Sequence, residues 1–456
     1  MHPTIFVIFG VTGDLAGRKL LPALVTLYSK KLWPQKFAVI GFSRKSFNRE
    51  EFREFIRERM KIRPGQFKEE EVKHFLDHLS YEQGLFDDAL SYDRLKAKFK
   101  EIDDRWGQCS NKLFHLSVPP ALYQGILKHI SSSGMSVPCA DDTGWTRVLI
   151  EKPFGDDLMA AKSLDKLLGK LFEEEQIFRI DHYLAKESLQ NILAFRFANT
   201  MFEPLWRREH IDQVHIKLFE RGGPEGRGTF YDSMGALKDV GQNHILQMLA
   251  LVAMETPRSL GSDDIRRERG RVLTALRSIP GQALEKQVVR GQYIGYTNEK
   301  GVSLHSQTET YFRIKSYVDL PRWKGVPFYL ESGKGLSETK TEIDIYFKNK
   351  SDENHRNILT FRIQPDGGIK IRFYVKTPGY SFKTEPKSFR FSYAESRLDH
   401  NIPNDYERLI HDAFSGDQTL FASTEEIMAC WKFVMPILER WGSLPLKKYE
   451  KGTREV

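Results

Sequence analysis

Thr4-Ile5-Phe6-Val7-Ile8-Phe9-Gly10-Val11-Thr12-Gly13-Asp14-Leu15-Ala16, residues 4–16, is the stretch on which the architecture turns. A short apolar run of this kind predicts a strand over Thr4–Phe9 buried on both faces. Leu20, Leu24, Leu27 and Tyr28 then recur at helical spacing. Between strand and helix, Gly10 and Gly13 let the backbone turn sharply and approach a phosphate, and the helix N-terminus offers free N–H groups and a partial positive charge. The spacing is G-x-x-G, not the full G-x-G-x-x-G, so the motif alone also suits an ordinary strand-to-helix turn. Its flanks favour a dinucleotide-binding turn, with Gly10, Thr12, Gly13, Asp14 and Leu15 as the candidate contacts.

Outward from this stretch the same rhythm continues. Lys36–Phe42 predicts a second strand, a long charged helix follows from Asn48, and Leu113–Val118 and Arg147–Ile150 predict later strands. Alternation of strand and helix predicts a parallel α/β sheet. The second strand ends in Gly41-Phe42-Ser43-Arg44-Lys45. A site for NAD normally places an acid here to hold the ribose hydroxyls. The end is instead basic, so Arg44 suits the 2′-phosphate of NADP, with Lys19 in support; the competing reading is a surface arginine on a loop. Further along, Asp212–Phe219, Tyr311–Val318, Glu342–Phe347, Ile358–Ile363 and Ile369–Val375 read as strands. Short turns such as Pro365-Asp366-Gly367-Gly368 join some of them, which favours an antiparallel sheet. Helical stretches fall near 183–197, 242–254 and 403–414. The expected fold is an α/β N-terminal Rossmann-like dinucleotide-binding domain, residues 1–178, followed by a C-terminal α+β domain, 179–456, with a large, mostly antiparallel sheet.

The 456 residues suit two or three domains and a large core. The net charge of +8 is spread along the chain rather than gathered in a basic run with interleaved aromatics, so no nucleic-acid partner is expected. The start MHPTIFVIFG lacks the basic front and long apolar region of a signal peptide, and no stretch approaches ~20 apolar residues. A cytoplasmic chain without membrane contact is expected. Cys109, Cys139 and Cys430 lie far apart with no C-x-x-C pair, so neither a disulfide framework nor a cysteine-rich metal site is expected. His74 and His78 stand four apart, but no third ligand or H-E-x-x-H accompanies them, and a wet helix face accounts for both.

Three clusters carry chemistry. Arg179-Ile180-Asp181-His182-Tyr183-Leu184-Ala185-Lys186-Glu187 combines an acid, an imidazole, a phenol and an amine. A helix starting near Tyr183 would bring His182 and Lys186 to its N-terminus, where a phosphate fits. A polar helix start with Asp181 as N-cap fits the spacing equally well. Lys238-Asp239-Val240-Gly241-Gln242-Asn243-His244 opens the apolar helix 245–254. A lone histidine there is commonly structural, but Gln242, Asn243 and Gln247 make an unusually polar entry into a buried helix. Val148-Leu149-Ile150-Glu151-Lys152-Pro153-Phe154-Gly155 places Lys152 at the C-terminal end of a strand, where open parallel sheets bind ligands; a plain surface turn is the alternative.

Together these clusters resemble the glucose-6-phosphate dehydrogenase family. Its active-site signature is similar to Asp181–Glu187, with Ala185 where glycine is usual. Gly10–Ala16, Glu151–Gly155, Gly226-Arg227-Gly228, Asp239–His244, Gly291-Gln292-Tyr293, Trp323–Lys334 and Asp405–Ile410 match in order along nearly the whole chain. The resemblance implies NADP-dependent oxidation of glucose 6-phosphate at C1 to 6-phosphogluconolactone, the entry step of the oxidative pentose phosphate pathway. It implies His244 as general base with Asp181 as its orienting partner, and His182, Tyr183 and Lys186 as a cradle for the 6-phosphate. Lys152 would bridge sugar and nicotinamide, and Glu220, Asp239 and Lys334 would contact sugar hydroxyls. Thr339 stands where many members carry a second basic residue near the phosphate, which leaves the adjacent Lys340 as the substitute. Lys238 replaces a common arginine. The resemblance further implies a homodimer or dimer of dimers through the large sheet, without the second, structural NADP site of animal members.

Two related oxidoreductase classes compete. Inositol or glucose–fructose oxidoreductases share a nucleotide domain and a Glu-Lys-Pro strand end, but prefer G-x-G-x-x-G and need no phosphate cradle. A short-chain dehydrogenase needs Tyr-x-x-x-Lys near the third quarter of a smaller domain; Tyr92/Lys96 and Tyr346/Lys350 show the spacing, as a lysine-rich chain does by chance. A reading of another class is a dinucleotide-binding sensor without catalysis, which predicts decayed chemical clusters; these are intact.

Overall fold

The computed structural model describes residues 2–60, 66–138, 144–349, 355–396 and 402–456; Cys139 and Lys350 lie outside them. The chain forms two compact units. The first comprises Met1–Gly155, Met159–Ala185 and Pro403–Ala422; the second comprises Asp156–Leu158, Lys186–Ile402 and Ser423–Val456.

In the first unit a seven-stranded sheet runs in the order Phe421–Ala422, Ile177–Ile180, Thr146–Glu151, Asn111–Leu116, Thr4–Phe9, Phe37–Ser43, Leu79–Gln83. All neighbours are parallel except Phe421–Ala422, which runs antiparallel to Ile177–Ile180. The expected parallel sheet is therefore present, and its strand order reverses at Thr4–Phe9. All six residues of that strand are buried. Ile5, Val7 and Phe9 join Tyr92, Phe99 and Ile126 in one core, while Phe6 meets Trp33 and Phe414 edge-on at 6.5 and 6.3 Å. With both faces covered, an unbroken apolar run is what the strand requires. The charged helix Arg49–Arg59 begins where Asn48 accepts the N–H groups of Glu50 and Glu51 at 3.0 and 2.9 Å.

The late segment 403–422 folds with the first unit, not with the residues around it in sequence. Arg147 Nη1 donates to the carbonyls of Ala413 and Phe414 at 2.7 and 2.9 Å, and Gln418 Nε2 donates to Glu174 and Ile177 at 2.9 and 3.0 Å. These bonds satisfy helix-end and strand-edge carbonyls that local sequence gives no hint of.

The second unit holds a nine-stranded sheet. Its order is Thr384–Ser392, Gly368–Lys376, Ile358–Gln364, Lys340–Phe347, Ile211–Phe219, Phe328–Gly333, Tyr311–Ser316, Val288–Tyr293, Leu446–Tyr449. Neighbours are antiparallel except Ile211–Phe219 with Phe328–Gly333 and Val288–Tyr293 with Leu446–Tyr449. The expected large, mostly antiparallel sheet is thus observed. Val214, Ile216 and Leu218 turn inward, and His215 and Lys217 point to the other face, the alternation of a half-buried strand. Pro386 sits in Thr384–Ser392, the edge strand, where a missing N–H is tolerated.

Several candidates resolve as structural. Tyr92 is a core residue whose hydroxyl donates to Phe86 O at 2.9 Å, which removes it as a catalytic phenol. His78 stacks on Phe37 with centroids 4.1 Å apart, so packing accounts for it, while His74 is exposed. Cys430 is buried and in no disulfide, whereas Cys109 is disulfide-bonded, against the expectation from cysteine spacing. No helix among the described residues is long and apolar enough to cross a membrane.

Candidate active site

In the first unit a cleft of about 600 Å³ opens at the carboxyl ends of the parallel strands, at the point where strand order reverses. Gly10, Thr12, Gly13, Ser43, Arg44 and Ser117 are among its walls. Open α/β sheets bind ligands at this position. The local fold explains the glycine. Gly10 has φ +78°, its N–H donates to Phe42 O at 2.9 Å, and its carbonyl accepts Gly13 N–H at 2.8 Å. A Cβ on Gly10 would lie 2.3 Å from Ser117 O. Two strand ends therefore approach as closely as backbones allow, leaving the turn open for a phosphate. Gly10→Ala is expected to lower the thermal midpoint, through roughly 1–3 kcal/mol of strain, and to raise KM for the dinucleotide. Unchanged values of both would refute the close approach.

Arg44 is exposed directly after Phe37–Ser43, and Lys19 and Asp14 are exposed on the opposing helix start, Asp14 paired with Arg18 at 2.8 Å. Leu15 is half-buried and runs into a short π-helical segment, Ala16–Leu20, before the helix Leu21–Ser29. Arg59, passed over in sequence, donates from Nη2 to Thr12 O at 2.9 Å and lies over the Phe55 ring. It braces the glycine turn from outside.

The strand Thr146–Glu151 delivers Lys152 to a cis bond with Pro153. Glu151 is held from two sides: Tyr406 Oη donates to its Oε1 at 3.0 Å and Tyr123 Oη to its carbonyl at 3.0 Å. His115, fully buried, has Nε2 at 3.2 Å from Glu151 Oε1, an ion-pair distance without hydrogen-bond alignment. Burial raises the Tyr123 phenol, and the Glu151 carboxylate adds to it. Tyr406 lies in the Asp405–Ile410 match; His115 and Tyr123 carried no sequence signal beyond apolar surroundings.

The expected helix start near Tyr183 is corrected. Asp181 Oδ1 accepts the N–H of Tyr183, and Asp181 O accepts that of Leu184, each at 3.0 Å. Those bonds close a turn, and the helix begins only at Glu187, with Lys186 extended at φ −67°, ψ 126° as its N-cap. Asp181 therefore caps a turn rather than the helix, and His182 and Lys186 are not on adjacent helical faces. Asp181 and Tyr183 are buried and His182 is half-buried in the first unit; Lys186 opens the second.

In the second unit the helix Gly228–Ala236 kinks at Gly235, φ +70°, and continues as the π-helical segment Leu237–Ile245 and the helix Leu246–Ala253. π-helical turns expose backbone groups and recur at functional sites. His244 is 1 % exposed at the end of this segment, and Asp239 is half-buried about one turn earlier. Asn243, counted in sequence only as part of the polar entry, ties the segment together. Its Oδ1 accepts His244 N–H at 2.6 Å, and its Nδ2 donates to Lys238 O and Asp239 O at 3.3 and 3.0 Å.

Glu220 and Lys334 come together as a salt bridge, and the Lys334 ammonium stands 5.2 Å from the Tyr231 ring centre. Tyr231 is buried, its hydroxyl without a hydrogen-bond partner among the described residues; burial first, then the Asp239, Glu309 and Glu220 carboxylates, push its phenol well above the ordinary range. Glu220 and Lys334 therefore pair beside one phenol, which the charge of Asp239 also affects. Lys340 is different. Its ammonium pairs with Glu338 at 2.7 Å and Glu342 at 3.0 Å; burial pulls its pKa down, and these bonds more than offset that. Thr339 Oγ1 accepts the N–H of Arg221 at 3.0 Å, and Arg221 Nε donates to Ser337 O at 3.1 Å, so a cation absent from the sequence candidates sits beside Thr339.

A reversing parallel sheet with a glycine cleft, followed by a unit that buries an imidazole and gathers carboxylates and an amine, defines a dinucleotide-dependent oxidoreductase. The glucose-6-phosphate dehydrogenase NAD binding domain matches residues 7–191, and the glucose-6-phosphate dehydrogenase C-terminal domain matches 193–456. The chain is 42% identical over 463 residues to the glucose-6-phosphate 1-dehydrogenase of Aggregatibacter actinomycetemcomitans, covering 98% of this chain and 93% of the relative. It is 41% identical to that of Borreliella burgdorferi, covering 99% and 95%. A solved glucose-6-phosphate dehydrogenase in complex with its substrate glucose-6-phosphate superposes with a TM-score of 0.92 at 33% identity, covering 99% of this chain and 95% of that one. The chain belongs to the glucose-6-phosphate dehydrogenase family.

Proposed function

We infer that this chain oxidises glucose 6-phosphate at C1 to 6-phosphogluconolactone with NADP as acceptor, in the cytoplasm, as the entry step of the oxidative pentose phosphate pathway. The observation that carries the reading is the Glu220–Lys334 pair beside Tyr231, in the unit whose polar helix entry carries Asp239 and buries His244. Carboxylates and an amine so placed suit the hydroxyls of a sugar.

The residues fit the dinucleotide: a Cβ would fill the Gly10 cradle, and Arg44 is exposed at the end of its strand with no acid beside it in sequence. Gly10, Thr12, Gly13, Asp14 and Leu15 would hold the pyrophosphate side, and Arg44 with Lys19 the 2′-phosphate. When bound, the dinucleotide supplies the hydride acceptor. His244 takes the proton from the C1 hydroxyl as that carbon becomes a carbonyl, and imidazole titrates in the range this needs. Asp181 orients the ring and stabilises the imidazolium. His182, Tyr183 and Lys186 hold the 6-phosphate; Glu220, Asp239 and Lys334 fix the sugar hydroxyls; Lys152 spans sugar and nicotinamide. Lys340, already neutralised by two glutamates, is a weak substitute for the cation missing at Thr339. The first unit serves as the NADP-binding domain, the second as the substrate-binding and dimerisation domain of a homodimer or dimer of dimers.

Nicotinamide reduction measured with glucose 6-phosphate, glucose, galactose 6-phosphate and inositol tests the reading. Turnover should be confined to the first, and comparable kcat/KM with free glucose would refute the phosphate cradle. Lys186→Ala should raise KM for glucose 6-phosphate by about tenfold, the loss of one charge-assisted contact, with kcat little changed. An unchanged KM would remove Lys186 from the cradle.

A further inference from the structure

We propose that Glu309 is a positioning residue for the base: its buried carboxylate fixes the first turn of the segment that carries Asp239 and His244. The inference rests on the reading of His244 given above. Glu309 is 4 % exposed just before the strand Tyr311–Ser316. Its Oε1 accepts the N–H of Leu237, the first residue of the π-helical segment, at 3.0 Å. Its Oε2 accepts the indole N–H of Trp441 at 2.7 Å, and its backbone carbonyl accepts the N–H of Ala236 at 3.1 Å. Two amides on the C-terminal side of the kink are thereby satisfied by one residue from elsewhere in the fold. Gly235 makes room for it, since a Cβ there would lie 2.4 Å from Glu309 Oε1. Burial raises the carboxyl pKa, opposed by the bonds from Leu237 and Trp441.

The residues on either side extend the same clamp. Thr308 Oγ1 donates to Asp232 O at 2.6 Å, inside the helix before the kink. Thr310 O accepts the N–H of Lys334 at 2.8 Å. Thr310 Oγ1 also lies 2.7 Å from Tyr449 Oη, whose hydroxyl donates to Lys334 O at 2.6 Å. Three consecutive residues thus tie the helix before the kink, the segment bearing His244, and Lys334. A misplacement of about 1 Å in a catalytic group costs far more rate than binding, so this tripeptide sets the distance between base and sugar contact.

The test uses the full chain. In Glu309→Gln the amide offers one acceptor to two donors, so Leu237 N–H or Trp441 Nε1 meets an N–H group. kcat should fall about tenfold, with KM for both substrates within about twofold of the parent. Trp441→Phe removes one donor and should lower kcat by about threefold, again without a change in KM; it tests the clamp if the glutamine variant fails to fold. In Glu309→Gln/Trp441→Phe the glutamine oxygen is free to serve Leu237, and kcat should recover above that of Glu309→Gln. Turnover within about twofold of the parent in both single variants, a rise in KM in step with the loss of kcat, or a double variant no better than Glu309→Gln would overturn the inference. Normal turnover in a His244 variant sinks the base assignment instead, so the two failures are distinguishable.

Discussion

His244→Asn is expected to lower kcat by about 10²–10⁴, the usual effect of losing a general base, while KM for glucose 6-phosphate stays near the parent value. Two features make the result informative. The imidazole is buried at the end of a segment already fixed by Asn243, so asparagine fits without opening the helix. The residues proposed to hold the phosphate, His182, Tyr183 and Lys186, lie in another stretch of sequence and are untouched by the change. Steady-state kinetics over the sugar phosphate, with a thermal melt to check folding, separate the two parameters. A folded variant with parental kcat would show that the proton leaves by another route. A rise in KM with unchanged kcat would make His244 a binding group.

Arg44→Ala should raise KM for NADP by about 10–100-fold and leave KM for NAD nearly unchanged. The span corresponds to about 1.5–3 kcal/mol for hydrogen bonds to a charged group. The 2′-phosphate is the only difference between the two dinucleotides, and Arg44 projects into solvent at the strand end where it would bind. Structural disturbance is expected to be small because the side chain is exposed. The measurement is the ratio of kcat/KM for NADP and NAD in parent and variant. An unchanged ratio would move the 2′-phosphate away from this strand, and Arg59, which already reaches Thr12 O, is then the next cation to replace.

The elements legible in the sequence share one physical property: their residue pattern follows from local geometry. Thr4–Phe9 is unbroken apolar because both faces are covered, and Asn48 starts a helix because its own side chain serves two nearby amides. The hairpin around residues 365–368 declares itself through its turn residues. Legibility fails where a distant partner supplies the missing group. Thr384–Ser392 carries a proline and little alternation, and is a strand because Gly368–Lys376 pairs with it. The Asp181–Glu187 cluster read as a helix start because spacing cannot distinguish an aspartate that caps a helix from one that closes a turn.

The amino-acid sequence by itself determined the two kinds of sheet, the glycine turn after Thr4–Phe9, and the membership of His244, Asp181, Lys152 and Lys334 in motifs that run in order along the chain. These depend on residue type and short-range spacing, which a linear text preserves. Only the tertiary structure decided that segment 403–422 returns to the first unit, that Glu220 and Lys334 pair beside Tyr231, and that Glu309 braces the kink before His244. Each of these joins residues far apart in the chain through a polar contact buried at least in part, and its stability comes from desolvation and geometry that no local pattern encodes.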